Sequence, residues 1–523
     1  FQLKLVQRFL DSTSGAQRML MNVFGSLPLP FVSVRKPPAA AVPIVPVVIP
    51  QQPPASMGSS GEGELQPGVT VSLGQHAFRI QKLLGRGSFS AVWAAVRLDG
   101  SGEVAIKETL CRSQDELQDA ENESKILQMV GNVARSPGAI ACETKPLPSG
   151  VMSVRLAMAK VPGDSLGTFL QQRNASKIGD ASSQFAEACN FTHELLVQLV
   201  PTLDAISRIA LHRDINTHNV LVSTGAGGSL PQFSIIDFGL AVDIQNWQKD
   251  PIQFPVAGDC RYWPVSAWYI FAHGNPELMK MQSLFMEYRT QLDMHAFGIT
   301  ALQVFINMLQ LWEVTDKSAI PAEIWALKAA WEQYWQDASR LHEPVFKASD
   351  LNTIMQLRHS YIATEAHNII DRDLGQLRRS LFAARDACAR REPGSKAAMI
   401  FSVLAELISQ GAKPLESEAA RSSIKLASWS DIGNLLSNDS GSRGGATTTI
   451  LGRIGSSTAL PLPMKTWLNG STSTTAPPSC VSATTHHIPP TWSMHSPTNM
   501  HSPTVVISSA VPMSQMSFVP VLR

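Results

Sequence analysis

Apolar and polar positions along the chain predict a sheet first and a helical region after it. Leu83-Leu84-Gly85-Arg86-Gly87-Ser88-Phe89-Ser90-Ala91-Val92 reads as strand, glycine-rich turn, strand. A turn at Asp99-Gly100-Ser101-Gly102 follows, and then the apolar run Val104-Ala105-Ile106 ends in a single cation, Lys107. From Gln114 to Val130 the period changes to that of a helix: Glu123, Ile126, Leu127 and Val130 recur on one face. Phe191–Ile209 is a longer apolar helix in which Pro201 predicts a kink, and Pro276 to Tyr288 reads as a short helix.

The two ends of the chain lack this periodicity. Residues 1–70 carry a proline-rich run, Pro37 to Pro54, whose prolines exclude a spanning helix and favour an extended linker. Residues 413–523 shift to Ser, Thr, Gly and Pro with few charges, a composition expected to stay disordered. Pro43-Ile44-Val45-Pro46 matches the core of an SH3-type ligand, and it serves equally as a bare spacer. Met-His-Ser-Pro-Thr occurs twice, placing Ser496 and Ser502 before prolines. That arrangement suits proline-directed kinases and also fits a duplication in a free tail.

A formal net charge of +1, with no basic block interleaved with aromatics, gives no nucleic-acid footprint. Six scattered cysteines without paired spacing point to reduced thiols rather than disulfides or a zinc ribbon. With no membrane-length apolar stretch, the expectation is a soluble protein inside the cell, cytoplasmic or nuclear.

The chemistry concentrates in three short groups. His212-Arg213-Asp214 is followed five residues later by Asn219 and then by Asp237-Phe238-Gly239. Asp214 is suited to accept a proton from a hydroxyl, while Asn219 and Asp237 are hard oxygen donors of the kind Mg²⁺ takes. Upstream, Gly85 and Gly87 allow close backbone approach to phosphate oxygens, and Lys107 supplies a cation with Glu123 as its expected partner. The order and spacing together indicate a phosphoryl-transfer site.

On these motifs the chain resembles a eukaryotic-type protein kinase catalytic domain, over roughly Gln75 to Ile408. The resemblance implies an α+β, bilobal fold within residues 71–412. A small five-stranded antiparallel N-lobe with one main helix would span about 75–159, and a larger, mainly helical C-lobe about 160–412. It implies ATP and Mg²⁺ as ligands and a protein Ser/Thr hydroxyl as acceptor. Leu84, Gly85, Gly87, Ser90 and Val92 would cover the nucleotide, with Ala105, Met158, Val161 and Leu221 around the adenine. Lys107 and Glu123 would set the phosphates, Asp214 would be the catalytic carboxylate, and Asn219 and Asp237 would hold metal. Leu127, His212 and Phe238 would stack as a hydrophobic spine. Asp293 would brace the catalytic loop, or simply cap its own helix.

Several positions depart from the family pattern. Ser90 replaces the third loop glycine; Asn216 stands where Ser/Thr kinases carry Lys, with His218 as the nearby cationic candidate; Ser266 replaces the Glu of Ala-Pro-Glu. An insertion is expected around Asn275–Arg289, with an effect on substrate access. No Ser, Thr or Tyr lies between Gly239 and Tyr262, so no loop phosphate can pair with Arg213, and Asp243, Asp250 or Asp259 are expected to stand in for it. Two other readings follow from the same residues: a nucleotide-binding pseudokinase scaffold, and a small-molecule kinase.

Overall fold

The computed structural model describes residues 65–437, apart from 88–89, 175–179, 226–229, 310–318, 349 and 409–426. The proline-rich run, Ser496, Ser502 and Cys480 lie outside the described residues.

The first part is an antiparallel sheet built from β1 (Thr70–Leu73), β2 (His76–Arg86), β3 (Ser90–Arg97), β4 (Glu103–Cys111), β5 (Ala139–Pro146) and β6 (Met152–Ala159). It has six strands in the order β1-β2-β3-β4-β6-β5, one more than the five expected. The extra strand is β1, which pairs with β2 through Val71↔Phe78 and Leu73↔His76. Its signal was present in the sequence: Val71 and Leu73 are buried and alternate with exposed Thr70 and Ser72. Gly74 (φ +58) then makes the turn that a side chain would strain. Leu65 is also buried, in the same cluster as Val71, Leu73 and Phe78.

Between β4 and β5 lies α1 (Gln114–Val130), with the bounds expected from its periodicity. Ser113 caps it by accepting from Glu116 N, while the Glu116 carboxylate accepts from Arg112 N, so both sides of the helix start are satisfied. Its buried face carries Glu123, Ile126, Leu127 and Val130.

After the sheet come β7 (Asp164–Ser165), α2 (Leu166–Asn174), α3 (Ala181–Ser207), β8 (Ala210–Leu211), β9 (Val220–Ser223), β10 (Gln232–Ile235), β11 (Val242–Asp243) and α4 (Ile244–Lys249). Next are α5 (Val265–His273), α6 (Asn275–Met279), α7 (Gln282–Thr290), α8 (Leu292–Met308), α9 (Ala322–Lys347), α10 (Leu351–Ala363), α11 (Ala366–Arg391) and α12 (Lys396–Leu407). The helix expected from Phe191 begins instead at Ala181, where Asp180 caps it, and it continues through Pro201 to Ser207. The single helix expected over 276–288 is two, α6 and α7, parted at Lys280–Met281.

α8 is the centre of the helical region. Its residues Met294, Phe297, Ile299, Leu302 and Phe305 are all nearly inaccessible, as expected of a helix apolar on every side. The segment read as a free tail also differs from expectation in one place. α13 (Trp429–Ser437) is a helix whose Trp429 and Ile432 are buried, with the Trp429 ring 6.1 Å from that of Phe297. Gln291 donates to the Ala427 carbonyl beside it. Two apolar side chains at helical spacing supply the burial that the surrounding polar composition obscured.

Among the described residues no helix is long and apolar enough to cross a membrane.

His295 on α8 is inaccessible to solvent, and burial lowers its pKa from 6.5 to about 3. The folded state therefore refuses a proton that the unfolded chain accepts below 6.5, and stability is lost as pH falls from there toward the folded value. Between pH 7 and 5 this residue should remove about 2 kcal/mol of unfolding free energy. Denaturant unfolding at both pH values should show a correspondingly flatter pH dependence in His295→Gln.

Candidate active site

The loop bearing Asp214 is held by a carboxylate from a distant helix. Asp293, in the first turn of α8, is buried and accepts from His212 N (2.7 Å) and Arg213 N (2.8 Å). This decides between the two roles considered for it: the carboxylate braces the loop and does not cap its own helix. Burial raises the pKa of Asp293, and the two amides with the nearby His212 and Arg213 pull it back. Arg213 needs the brace because its backbone sits in the left-handed region at φ +69, a conformation that costs about 1–3 kcal/mol for a residue with a side chain. His212 Nε2 lies 3.1 Å from the Ile236 carbonyl, and its ring is 4.8 Å from that of fully buried Phe238. Leu127 belongs to the same buried cluster as Phe238.

Two expected carboxylates converge on one expected cation. Lys107 Nζ lies 2.7 Å from Glu123 Oε1 and 2.9 Å from Asp237 Oδ1. Burial opposes the charge of this lysine, yet the carboxylates of Asp237 and Glu123 outweigh it and raise its pKa. Lys107 in turn lowers the pKa of Asp237. Like Arg213, Asp237 has a left-handed backbone (φ +63), and its side chain is about half exposed. The path from Asn219 to Asp237 is short, since Ile236 N donates to the Asn219 carbonyl.

Asp214 accepts from three donors. Its Oδ1 takes Asn216 Nδ2 (3.0 Å) and Asp259 N (3.2 Å), and its Oδ2 takes Asn219 Nδ2 (2.9 Å). Burial, and then the neighbouring charge of Asp237, push its pKa up to about 7, against these hydrogen bonds. A carboxylate so placed can exchange a proton near neutral pH. Asn216 has a larger part than its sequence reading as a missing lysine allowed. Besides contacting Asp214, its Oδ1 accepts from His218 N and Asn219 N, tying the loop into one turn. The His218 ring lies against Gly167, where an added Cβ would come within 3.2 Å of it.

The residues expected around a nucleotide fall along β2, β3, β4, β6 and β9. Gly85 pairs with Val92 beside a bulge in β2, Val92 with Lys107, and Ala105 with Met158. Gly87 N donates to the Ser90 carbonyl, and Leu84 is exposed. Val161 follows β6, where Lys160 pairs with Glu103 of β4. Leu221 is half-buried in β9 and pairs with Ser165 of β7.

The expectation that Asp243, Asp250 or Asp259 would face Arg213 is not met. Asp243 caps α4, Asp259 pairs with Arg261, and among the described residues no carboxylate forms an ion pair with Arg213. Arg213 instead donates to the Pro255 carbonyl and lies 5.5 Å from the ring centre of Trp247 and 5.9 Å from that of Phe254. Burial lowers its pKa, and an aromatic face with a carbonyl satisfies a guanidinium at less desolvation cost than a lone buried charge.

Helix α7 completes this cage. Tyr288 of α7 packs 5.4 Å from Trp247, and the Trp247 indole donates to the Arg289 carbonyl (2.8 Å). One residue before Tyr288, buried Glu287 accepts from Ser266 N (2.9 Å), so the amide at the eroded Ala-Pro-Glu position is met by a carboxylate from α7. No spacing in the sequence pairs residues 247 and 266 with this helix, although an isolated Trp in the polar run 245–250 was a sign of a buried contact.

The family model for the protein kinase domain matches residues 78–374, more than half of the 523-residue chain. The chain therefore belongs to the protein kinase family. No curated protein matches it.

Gly258 has φ +84, and a Cβ there would fall 2.4 Å from the Arg213 carbonyl and 3.1 Å from Asp214 Oδ1. Gly258→Ala should lower the unfolding free energy by about 1–3 kcal/mol through backbone strain alone, with the clash adding to it. Denaturant unfolding measures the loss; an unchanged midpoint would mean that the loop and segment do not touch as described.

Proposed function

We propose that the protein is an active kinase that transfers the γ-phosphoryl group of ATP to Ser/Thr hydroxyls of proteins, with Mg²⁺. The observation that carries this is the intact junction of Lys107 with Glu123 and Asp237, at 2.7 and 2.9 Å, beside an Asp214 held by three donors. A chain retained only as a scaffold has no need to keep these charges together.

In this reading the nucleotide lies between the sheet and the helical region, the two lobes of the fold, against Leu84, Gly85, Gly87, Ser90, Val92, Ala105, Met158, Val161 and Leu221. Lys107, oriented by Glu123, holds its phosphates. Asn219 and Asp237 fit a hard divalent ion, since they offer amide and carboxylate oxygens and Asp237 is open to solvent. Mg²⁺ bound there would neutralise phosphate charge. Asp214 orients the acceptor hydroxyl and takes its proton. The Ser/Thr preference follows the family at large.

A pseudokinase reading draws on Asn216, which brings no positive charge to the γ-phosphate. Loss of one such donor costs roughly 2.7–4 kcal/mol, enough for a slow enzyme rather than an inert one.

Labelled γ-phosphate from Mg-ATP should appear on mixed protein substrates, with phosphoserine or phosphothreonine released on hydrolysis. Transfer should fall by about 10²–10⁴-fold in Asp214→Asn. Mg-ATP that raises the melting temperature without any transfer would favour the scaffold instead.

Because Arg213 is satisfied by Trp247, Phe254 and a carbonyl, activity should need no phosphate on the segment between Leu240 and Arg261. Mass spectrometry of the active protein should find that segment unmodified. Trp247→Ala, which empties the cage, should cost about 3–5 kcal/mol of stability and lower transfer with it.

A further inference from the structure

We infer that Cys260, His342 and Asp259 form a binding site for a borderline-soft divalent ion, with zinc as its natural test case. The site bridges the end of the activation segment and α9. Cys260 Sγ lies 3.1 Å from His342 Nδ1, His342 Nδ1 lies 3.4 Å from Asp259 Oδ1, and the three ligand atoms all fall within 4.8 Å of one another. Tetrahedral zinc, with bonds of about 2.0–2.3 Å to N, O and S, separates its ligand atoms by roughly 3.3–3.6 Å. The spacing is therefore that of a preformed coordination edge, short of its final geometry by a small side-chain rotation.

The donor set selects the ion. A thiol with an imidazole suits zinc and its neighbours in the transition series, whereas Mg²⁺ and Ca²⁺ take oxygen alone. The three residues come from separate structures, a 3₁₀ turn at Cys260–Tyr262 with its capping Asp259, and a helix 82 positions later in sequence. Their meeting is a product of the fold.

The surroundings hold the ligands in place. Arg261 pairs with Asp259 and lies 5.1 Å from the Trp335 ring on α9, and the Tyr334 hydroxyl of the same helix donates to the Arg261 carbonyl (2.7 Å). One Asp259 oxygen can stay with the guanidinium while the other turns to the metal. Coordination requires the Cys260 thiolate, so binding releases the thiol proton to solvent while neutral His342 offers Nδ1. Because coordination displaces the thiol proton, uptake should strengthen as pH rises. Asp259 N donates to Asp214 Oδ1, so an ion here would also stiffen the residue that contacts the proposed base.

The test uses the full chain with Zn²⁺ alone and then with Co²⁺, and it reads binding without reference to phosphotransfer. Equilibrium dialysis with metal analysis should give one zinc per chain and a raised melting temperature. Co²⁺ should add a thiolate-to-metal charge-transfer band that disappears in Cys260→Ser. His342→Gln, which keeps the side-chain volume, should weaken zinc binding by at least tenfold while leaving the circular dichroism unchanged. Absence of stoichiometric zinc on the unmutated chain, or binding indifferent to both substitutions, would overturn the site and leave the Cys260–His342 contact an ordinary hydrogen bond.

Discussion

A single buried carboxylate, Asp293, fixes the geometry on which the site depends. By accepting from His212 N and Arg213 N it holds a loop whose backbone at Arg213 is otherwise unfavourable. Asp214 follows directly, and its orientation is completed by Asn216, Asn219 and the Asp259 amide. The brace comes from the most buried helix of the domain, so the loop inherits the rigidity of the core instead of its own. On the opposite side, Phe238 under His212 carries the same rigidity to Asp237.

Helix α7 does two structural tasks in this region. Tyr288 supports Trp247, which supports Arg213, so a buried cation is satisfied without phosphate. Glu287 meets the Ser266 amide. Asn216, the segment between Gly239 and Tyr262, and Ser266 all make their contacts around one loop, while Lys107 keeps its junction with two carboxylates. Such consistency between neighbouring contacts is what a folded, minimally frustrated domain requires.

Much of this was legible beforehand where one signal dominated. Helix α1 was predicted with its observed bounds because Glu123, Ile126, Leu127 and Val130 recur at helical spacing on one face. Lys107 and Glu123 were matched by motif spacing and do meet. β1 was missed because its four alternating residues are a short signal lying just ahead of residue 75, where the sheet was expected to begin. α13 was hidden in the same way by the polar residues around Trp429 and Ile432. The carboxylates proposed for Arg213 failed for a different reason. Charge complementarity in sequence says nothing of what lies within a few ångströms, and Asp243 and Asp259 were already occupied by a helix cap and by Arg261.

The chain's own order of residues determined the class of chemistry, the strands that carry the glycine-rich turn and Lys107, and the carboxylate and amides gathered around Asp214. These are set by local spacing, which the backbone periodicities convert into a face or a turn. Tertiary structure settled the brace over the helix cap for Asp293, and it alone supplied the Trp247–Phe254 faces for Arg213, Glu287 for Ser266, and His342 for Cys260. Such partners lie up to 82 residues apart, beyond the reach of any periodicity. They are chosen because a polar group removed from water must find a donor or acceptor among whatever the packed core brings to it.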